Sequence, residues 1–321
     1  MDARLCFNLR PPDGKINGVF VNANSPGIAP FTFHAQHGSM KSTVTEESVT
    51  GFDACTKHVD IQVKNARDWA EPPKLETHGF ELLNDGKSYD EGYTAHDFLR
   101  EDITTHYPTA IELAKKLFPT ATAAYAFNHV RRMSRQTAEL SKKQRHNSSS
   151  GLSAPSYMVH ADSTAESWLH KVKQLVSDGE FEAIASTQLS AEQGEVLAKA
   201  KRIVVINLWR LVTNFHQPSP THLALCSMRS VDLEKHAIPY HFLVDGCVGY
   251  NYGLDEAHAK EYEWGYFPKL GPDEIVVFKA YDSADGGKWC FHAACDDPGA
   301  PDGCPPRESV EVRVALAFGE E

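Results

Sequence analysis

The chain has 321 residues, 41% hydrophobic and 23% charged, with a formal net charge of −11. That length can bury a sizeable core, and all-β folds of this size often form one domain. With no basic cluster longer than Lys142-Lys143-Gln144-Arg145, the acidic balance argues against nucleic acid or an anionic membrane as partner. No apolar run approaches the ~20 residues that a membrane helix needs. The N-terminus lacks the apolar segment of a signal peptide. Seven cysteines without a C-x-x-C pair point to reduced thiols in a cytoplasmic setting, not to a disulfide framework or a zinc site.

In chain order, Asn17 to Val21 and His58 to Val63 read as strands, the second alternating Val59, Ile61 and Val63 with polar neighbours. Thr105 to Phe118 reads as a helix and Ala121 to Val130 as a strand. Residues 141–154 are polar, serine-rich and aperiodic, hence a loop or flap within one domain spanning 1–321. We take 1–154 as an N-terminal portion and 155–321 as the core. Ser163-Thr-Ala-Glu166 is a capping-box signature before Trp168, Leu169, Val172, Leu175 and Val176 at helical spacing, and a further helix covers about Ala191 to Lys201. Eight strand candidates follow: Arg202 to Trp209, His222 to Met228, Tyr240 to Val244, Cys247 to Tyr252, Glu261 to Phe267, Glu274 to Ala280, Lys288 to Ala294 and Ser309 to Phe318. Short strands in such succession, with helical insertions, indicate a mainly β fold of the jelly-roll, double-stranded β-helix or cupin-like kind.

His160-x-Asp162 lies at the end of an apolar strand, where period-2 geometry points both side chains to one face. His292 sits in the apolar segment Trp289-Cys-Phe-His, where an imidazole must find a polar partner or a metal. Two imidazoles and a carboxylate form the facial set that leaves ferrous iron three open positions in non-haem oxygenases. His58-Val59-Asp60 is a second copy of the pattern, and His222 and His241 are rival third ligands; the later copy is favoured because about six strands separate it from His292. The loop 295–306 is expected to return the chain antiparallel beside the His292 strand. In Ser309 to Phe318, alternation puts Ser309, Glu311 and Arg313 on one face, with Arg307 there by extrapolation. Such a face suits a buried anion, and an Arg-x-Ser pair here is where oxygenases of this kind hold the far carboxylate of 2-oxoglutarate. The alternative is a polar outer face on which Glu308 and Glu311 pair the arginines.

Several ordered segments carry a resemblance: GFELL at 79–83, YAFNHVRR at 125–132, MVHADST at 158–164, INLWR at 206–210, LALCSMRSV at 223–231, YFPKLGPDEIVVFKAYDS at 266–283, FHAACDDP and RESVEVR. Together they resemble the AsaB-like fungal hydroxylases and desaturases, a family related to the cephalosporin methoxylase component CmcJ, to gibberellin desaturases and to an aziridine-forming amino-acid oxygenase. The resemblance implies iron at His160, Asp162 and His292, 2-oxoglutarate near Arg307, Ser309 and Arg210, with Arg313 as a further cosubstrate candidate, and O2 as co-reactant. Ser163 stands where the family often has an aromatic, and Leu211 replaces its usual Pro. With Ser163, the side chains of Asn128, Arg132 and His216 are candidate contacts to a small-molecule substrate. The implied reaction is hydroxylation, desaturation or oxidative ring closure of a secondary metabolite, with an aliphatic amino acid and a bulky terpenoid or polyketide both open. A cupin-like metal-binding protein without turnover is the rival from another class.

Overall fold

The computed structural model describes residues 1–10, 19–21, 33–37, 40–44, 56–84, 106–133, 152–153, 155–162, 189–212, 214–244, 247–284 and 289–320. The N-terminal portion contributes β1 (Asp2–Asn8), β2 (Val19–Val21), β3 (Phe33–His37), β4 (Met40–Val44), β5 (Thr56–Asn65), β6 (Phe80–Asn84), α1 (Tyr107–Leu117), β7 (Ala123–Arg132) and β8 (Leu152–Ser153). The core contributes α2 (Ala191–Lys199), β9 (Ala200–Leu211), β10 (Thr221–Cys226), α3 (Leu233–His236), β11 (Ala237–Val244), β12 (Cys247–Leu254), β13 (Trp264–Tyr266), β14 (Glu274–Asp282), β15 (His292–Asp296) and β16 (Ser309–Glu320). The capping-box segment from Ser163 and the helical spacing after it lie outside the described residues.

Two sheets face one another. One has the order β1-β5-β13-β10-β15, the other β6-β14-β9-β16-β7-β8, and β12-β11-β2 forms a smaller third. Isolated bridges Cys6↔Met158, His160↔His292 and Ala161↔Tyr252 thread residues 158–161 between β15 and β12. The free side of β15 is thereby taken. The loop 295–306 consequently does not return beside β15, as expected from sequence; it crosses to the opposite sheet, where β16 pairs with β9 and β7. Other differences are local: β15 runs from His292 to Asp296, Glu261 to Glu263 precede β13, and Leu152–Ser153 pairs with β7 inside the expected loop.

Alternation on β16 divides the second sheet into two faces. Val310, Val312, Val314 and Leu316 pack outward in a cluster with Tyr107, Ala110 and Ala114 of α1. The other face turns inward, carrying Ser309, Glu311 and Arg313 at one end and Ala315 and Ala317 in the main core at the other. A β-bulge in β7 keeps its neighbour in step. Arg313 pairs with Asn128 but Val314 pairs with Ala126, so Phe127 is the extra residue. Ala124 and Ala126 join the outer cluster, whereas Phe127 belongs to the core between the sheets. Asn128 follows it inward, as the partner of Arg313.

Candidate metal centre

Val159 and Ala161 are fully buried in the main core, so the period of two sends His160 to the opposite side of its segment. His160 and His292 exchange both backbone hydrogen bonds, at 3.1 and 2.9 Å, which makes them direct cross-strand neighbours. Their rings lie 4.4 Å apart between centroids. Each ring is oriented in the same way: Nδ1–H of His160 donates to the Met158 carbonyl at 2.7 Å, and Nδ1–H of His292 to the Cys290 carbonyl at 3.1 Å. A carbonyl only accepts, so both Nε2 atoms keep their lone pairs. Burial, reinforced for His160 by the neighbouring His292, lowers both imidazoles below their ordinary range, His160 to about 4, and both are neutral near pH 7.

Asp162 Oδ1 lies 3.6 Å from His160 Nε2 and 3.9 Å from His292 Nε2. The other oxygen, Oδ2, accepts from Asn207 Nδ2 at 2.7 Å and lies 3.3 Å from Arg313 Nη2. Asn128, Arg313 and Asn207 stand side by side in register across β7, β16 and β9, forming a polar shelf behind this carboxylate. Burial alone would raise the Asp162 carboxyl. Arg313, His292 and His160 together hold it well below the usual carboxylate range. The three ligand-type atoms converge within 4.8 Å of one another. Neutral imidazole nitrogens and an ionised carboxylate are the donor set that a divalent transition metal takes, so these residues fit the metal that the sequence implies.

Beside this centre, Arg307 is 5% exposed, yet its Nε and Nη1 have no hydrogen-bond partner, and neither has the Oγ of Ser309, 2% exposed. The guanidinium lies 5.6 Å above the Trp209 ring. Burial and the nearby Arg132 pull Arg307 down to about 10, which leaves it charged near neutrality. Buried donors left unbonded cost free energy, about 1–3 kcal/mol or more for a charged group. The pair therefore fits an anion held by Arg307 and Ser309. Arg132 faces Ser309 across the β7–β16 ladder and is depressed by burial, with Glu311 opposing.

The structure brings together His160, Asp162, His292, Arg307, Ser309, Arg132, Asn128 and Arg313, but gives some of them other work. Arg313 is engaged by Asp162, by Glu311 at 2.9 Å and by Asn128 at 3.1 Å, which leaves Asn128 and Arg313 bound to protein groups. Arg210 is set apart: it pairs in register with the outward Val310, and its neighbours Leu208 and Val212 face α1. His216 is exposed on a loop in left-handed backbone (φ 57°), its N–H bonded to the Leu270 carbonyl at 2.9 Å. Ser163 lies outside the described residues. His58 is exposed, Asp60 pairs with exposed Arg4, and His222 pairs with Asp297 at 3.4 Å. Sequence reasoning missed Asn207. The signal was there, an amide inside the apolar run Ile203–Leu211, which the structure buries completely.

A second His/His/carboxylate group occurs among the described residues: His236, His258 and Glu261. Here the Asp232 backbone N–H donates to His236 Nδ1 at 3.0 Å. A neutral His236 then carries its proton on Nε2, which is buried without a partner. His258 Nδ1–H is given to Glu261 at 2.8 Å. Neither nitrogen of His236 offers a free lone pair.

A double-stranded β-helix enclosing a His/Asp/His centre defines the class to which this chain is to be compared. The chain belongs to the oxidoreductase/YMDC permease-like domain family, whose model matches residues 20–318. It is 26% identical over 271 residues to an oxidoreductase of Cochliobolus lunatus, clz16, covering 82% of this chain and 86% of that one. The hydroxylase/desaturase efuI of Hormonema carpetanum is 32% identical over 180 residues, 52% of this chain and 53% of its own length. The hydroxylase/desaturase asaB of Aspergillus flavus is 26% identical over 169 residues, 48% and 72% of the two chains, which bears out the resemblance to AsaB-like proteins. In fold the chain is similar to the iron and alpha-ketoglutarate-dependent endoperoxidase NvfI, whose solved structure superposes with a TM-score of 0.65 at 18% identity, covering 100% of this chain and 98% of that one. The jelly-roll expectation is met. Among the described residues no helix is long and apolar enough to cross a membrane.

Proposed function

We propose that this chain is a non-haem Fe(II)/2-oxoglutarate-dependent oxygenase that oxidises a small secondary metabolite, with the metal on His160, Asp162 and His292. The observation that carries this reading is the coincidence of two features in one interior. Three ligand-type atoms converge within 4.8 Å, and beside them the buried Arg307 and Ser309 have side-chain atoms without a hydrogen-bond partner in the protein. When bound, ferrous iron would activate O2 and couple decarboxylation of 2-oxoglutarate to removal of a hydrogen atom from the substrate. The two imidazoles present their Nε2 lone pairs because the Met158 and Cys290 carbonyls hold the other nitrogens. Arg307 and Ser309 bind the far carboxylate of the cosubstrate, with Trp209 fixing the guanidinium from its flat side. Phe278, whose ring lies 4.7 Å from that of His292, and the apolar residues around it keep water from that flank.

With Arg307 committed to the cosubstrate, Arg132 and Arg313 balance Asp162 and Glu311 around the centre. An aliphatic amino acid and a neutral terpenoid or polyketide skeleton are both compatible with that balance. The test is anaerobic addition of Fe(II) and then 2-oxoglutarate, monitoring the weak visible charge-transfer band of the chelate. A band in the wild-type protein and none in His292→Ala is expected. Iron binding without any response to 2-oxoglutarate would sink the cosubstrate assignment and leave a metal-binding protein. Succinate release across a panel of amino acids and apolar acids then decides the substrate class.

A further inference from the structure

Glu311 is a second buried carboxylate beside the proposed metal centre, and the reaction outlined above has no use for it. It is 3% exposed and sits between Ser309 and Arg313 on the inner face of β16, directly across from Trp209 on β9. Its Oε1 forms an ion pair with Arg313 Nη2 at 2.9 Å, and the same nitrogen lies 3.3 Å from Asp162 Oδ2. One guanidinium nitrogen thus bridges two carboxylates, whose oxygens can be no further apart than those two contacts laid end to end.

Divalent cations take carboxylate oxygens that lie within reach, and a carboxylate so close to a ligand of the centre is a natural fourth donor. A fourth protein ligand would occupy one of the positions that the cosubstrate and O2 require. The guanidinium opposes this in two ways. Its ion pair with Oε1 offsets the charge of Glu311 and draws that carboxylate to itself, and its other arm is anchored by Nη1 donating to Asn128 Oδ1 at 3.1 Å. Lysine could not do the same, since a single ammonium on a flexible stem cannot hold two carboxylates and an amide at fixed angles.

We propose that Arg313 is a positioning residue that keeps Glu311 out of the metal's coordination sphere and so holds the centre at three protein ligands. The inference rests on the metal-site reading given above. The experiment loads the metal-free full-length protein with Mn(II) alone and measures the EPR line broadening caused by 17O-enriched water, which counts solvent positions on the ion. Arg313→Met should lose one solvent position relative to wild type, and Arg313→Met combined with Glu311→Gln should regain it. If Arg313→Met does not fold, Arg313→Gln is read in the same way, since one amide cannot bridge both carboxylates. An unchanged count in the single variant, or a lost position that the Glu311→Gln change does not restore, overturns the inference while the metal site stands. A wild-type protein that binds no Mn(II), or binds it equally well as His292→Ala, overturns both.

Discussion

Two clusters in this chain have nearly the same composition and opposite capacities. His160, Asp162 and His292 converge as do His236, His258 and Glu261, each set with two imidazoles and one carboxylate within 4.8 Å. The difference lies in what touches Nδ1. In the first cluster carbonyls two residues back accept from Nδ1–H, and both Nε2 lone pairs are free. In the second, a helix N-terminal amide donates to His236 Nδ1, and the ring is locked in the tautomer that cannot ligate through Nε2. Residue type alone therefore does not make a metal site; the backbone group behind each ring decides which nitrogen is a base.

The sharpest way to break this comparison is to exchange ligands for alanine. His160→Ala or His292→Ala should lose iron on desalting, an effect larger than the ~10–100-fold that loss of a supporting group costs. His236→Ala should retain it. Retention by the first two, or loss by the third, would reverse the assignment of the clusters. Next in size is Arg307→Ala, expected to raise the 2-oxoglutarate requirement by the equivalent of about 2–5 kcal/mol with iron binding spared, because a buried carboxylate loses its charged partner. Arg307→Lys should recover only part, as read from the charge-transfer band against cosubstrate concentration.

The depressed imidazoles give a third prediction, on the metal-free protein. His160 falls from its ordinary 6.5 to about 4, so on acidification the unfolded chain takes up the proton first. Stability should therefore be fully present above about pH 6.5 and decline as pH falls from there toward 4, by on the order of 3 kcal/mol. Urea melts of metal-free protein at successive pH values measure it, and His160→Gln should flatten the slope. The smallest effect is expected from Asn207→Ala. Loss of the amide that holds Asp162 Oδ2 should weaken iron binding by about 10–100-fold. Titration with iron, compared with His236→Ala, shows whether such support is confined to the first cluster.

Much of this was legible in the sequence, and for identifiable reasons. The convergent triad stood out because polar residues interrupt apolar segments at His160, Asp162 and His292. The β16 alternation was readable because valines mark every second position from Val310 to Val314. The path of the loop 295–306 was not, since nothing local reveals that β15 already has a neighbour on each side. Arg210 was misplaced for a related reason. Its membership in the INLWR segment said that it is close to Trp209 in sequence, while pleating put the two on opposite faces. Asn207 showed as an amide inside an apolar run, but its bond to Asp162, like the Arg313–Glu311–Asp162 chain, depends on how neighbouring segments come into register, which one strand's pattern does not contain.

The extra residue at Phe127 acts as a phase shift in β7. Before it, odd-numbered positions look inward; after it, even-numbered ones do, which is why Asn128 and Arg132 reach the site while Arg131 shares a ladder position with the outward Val310. Removing Phe127 itself would restore strict alternation and leave Asn128 and Arg132 facing inward, whereas removing a residue beyond it, such as His129, would carry Arg131 into the interior and turn Arg132 toward α1. A single-codon deletion past the bulge could thus exchange one arginine of the inner face for another without touching His160, Asp162 or His292. Chemistry and selectivity are in this sense separately editable along one strand.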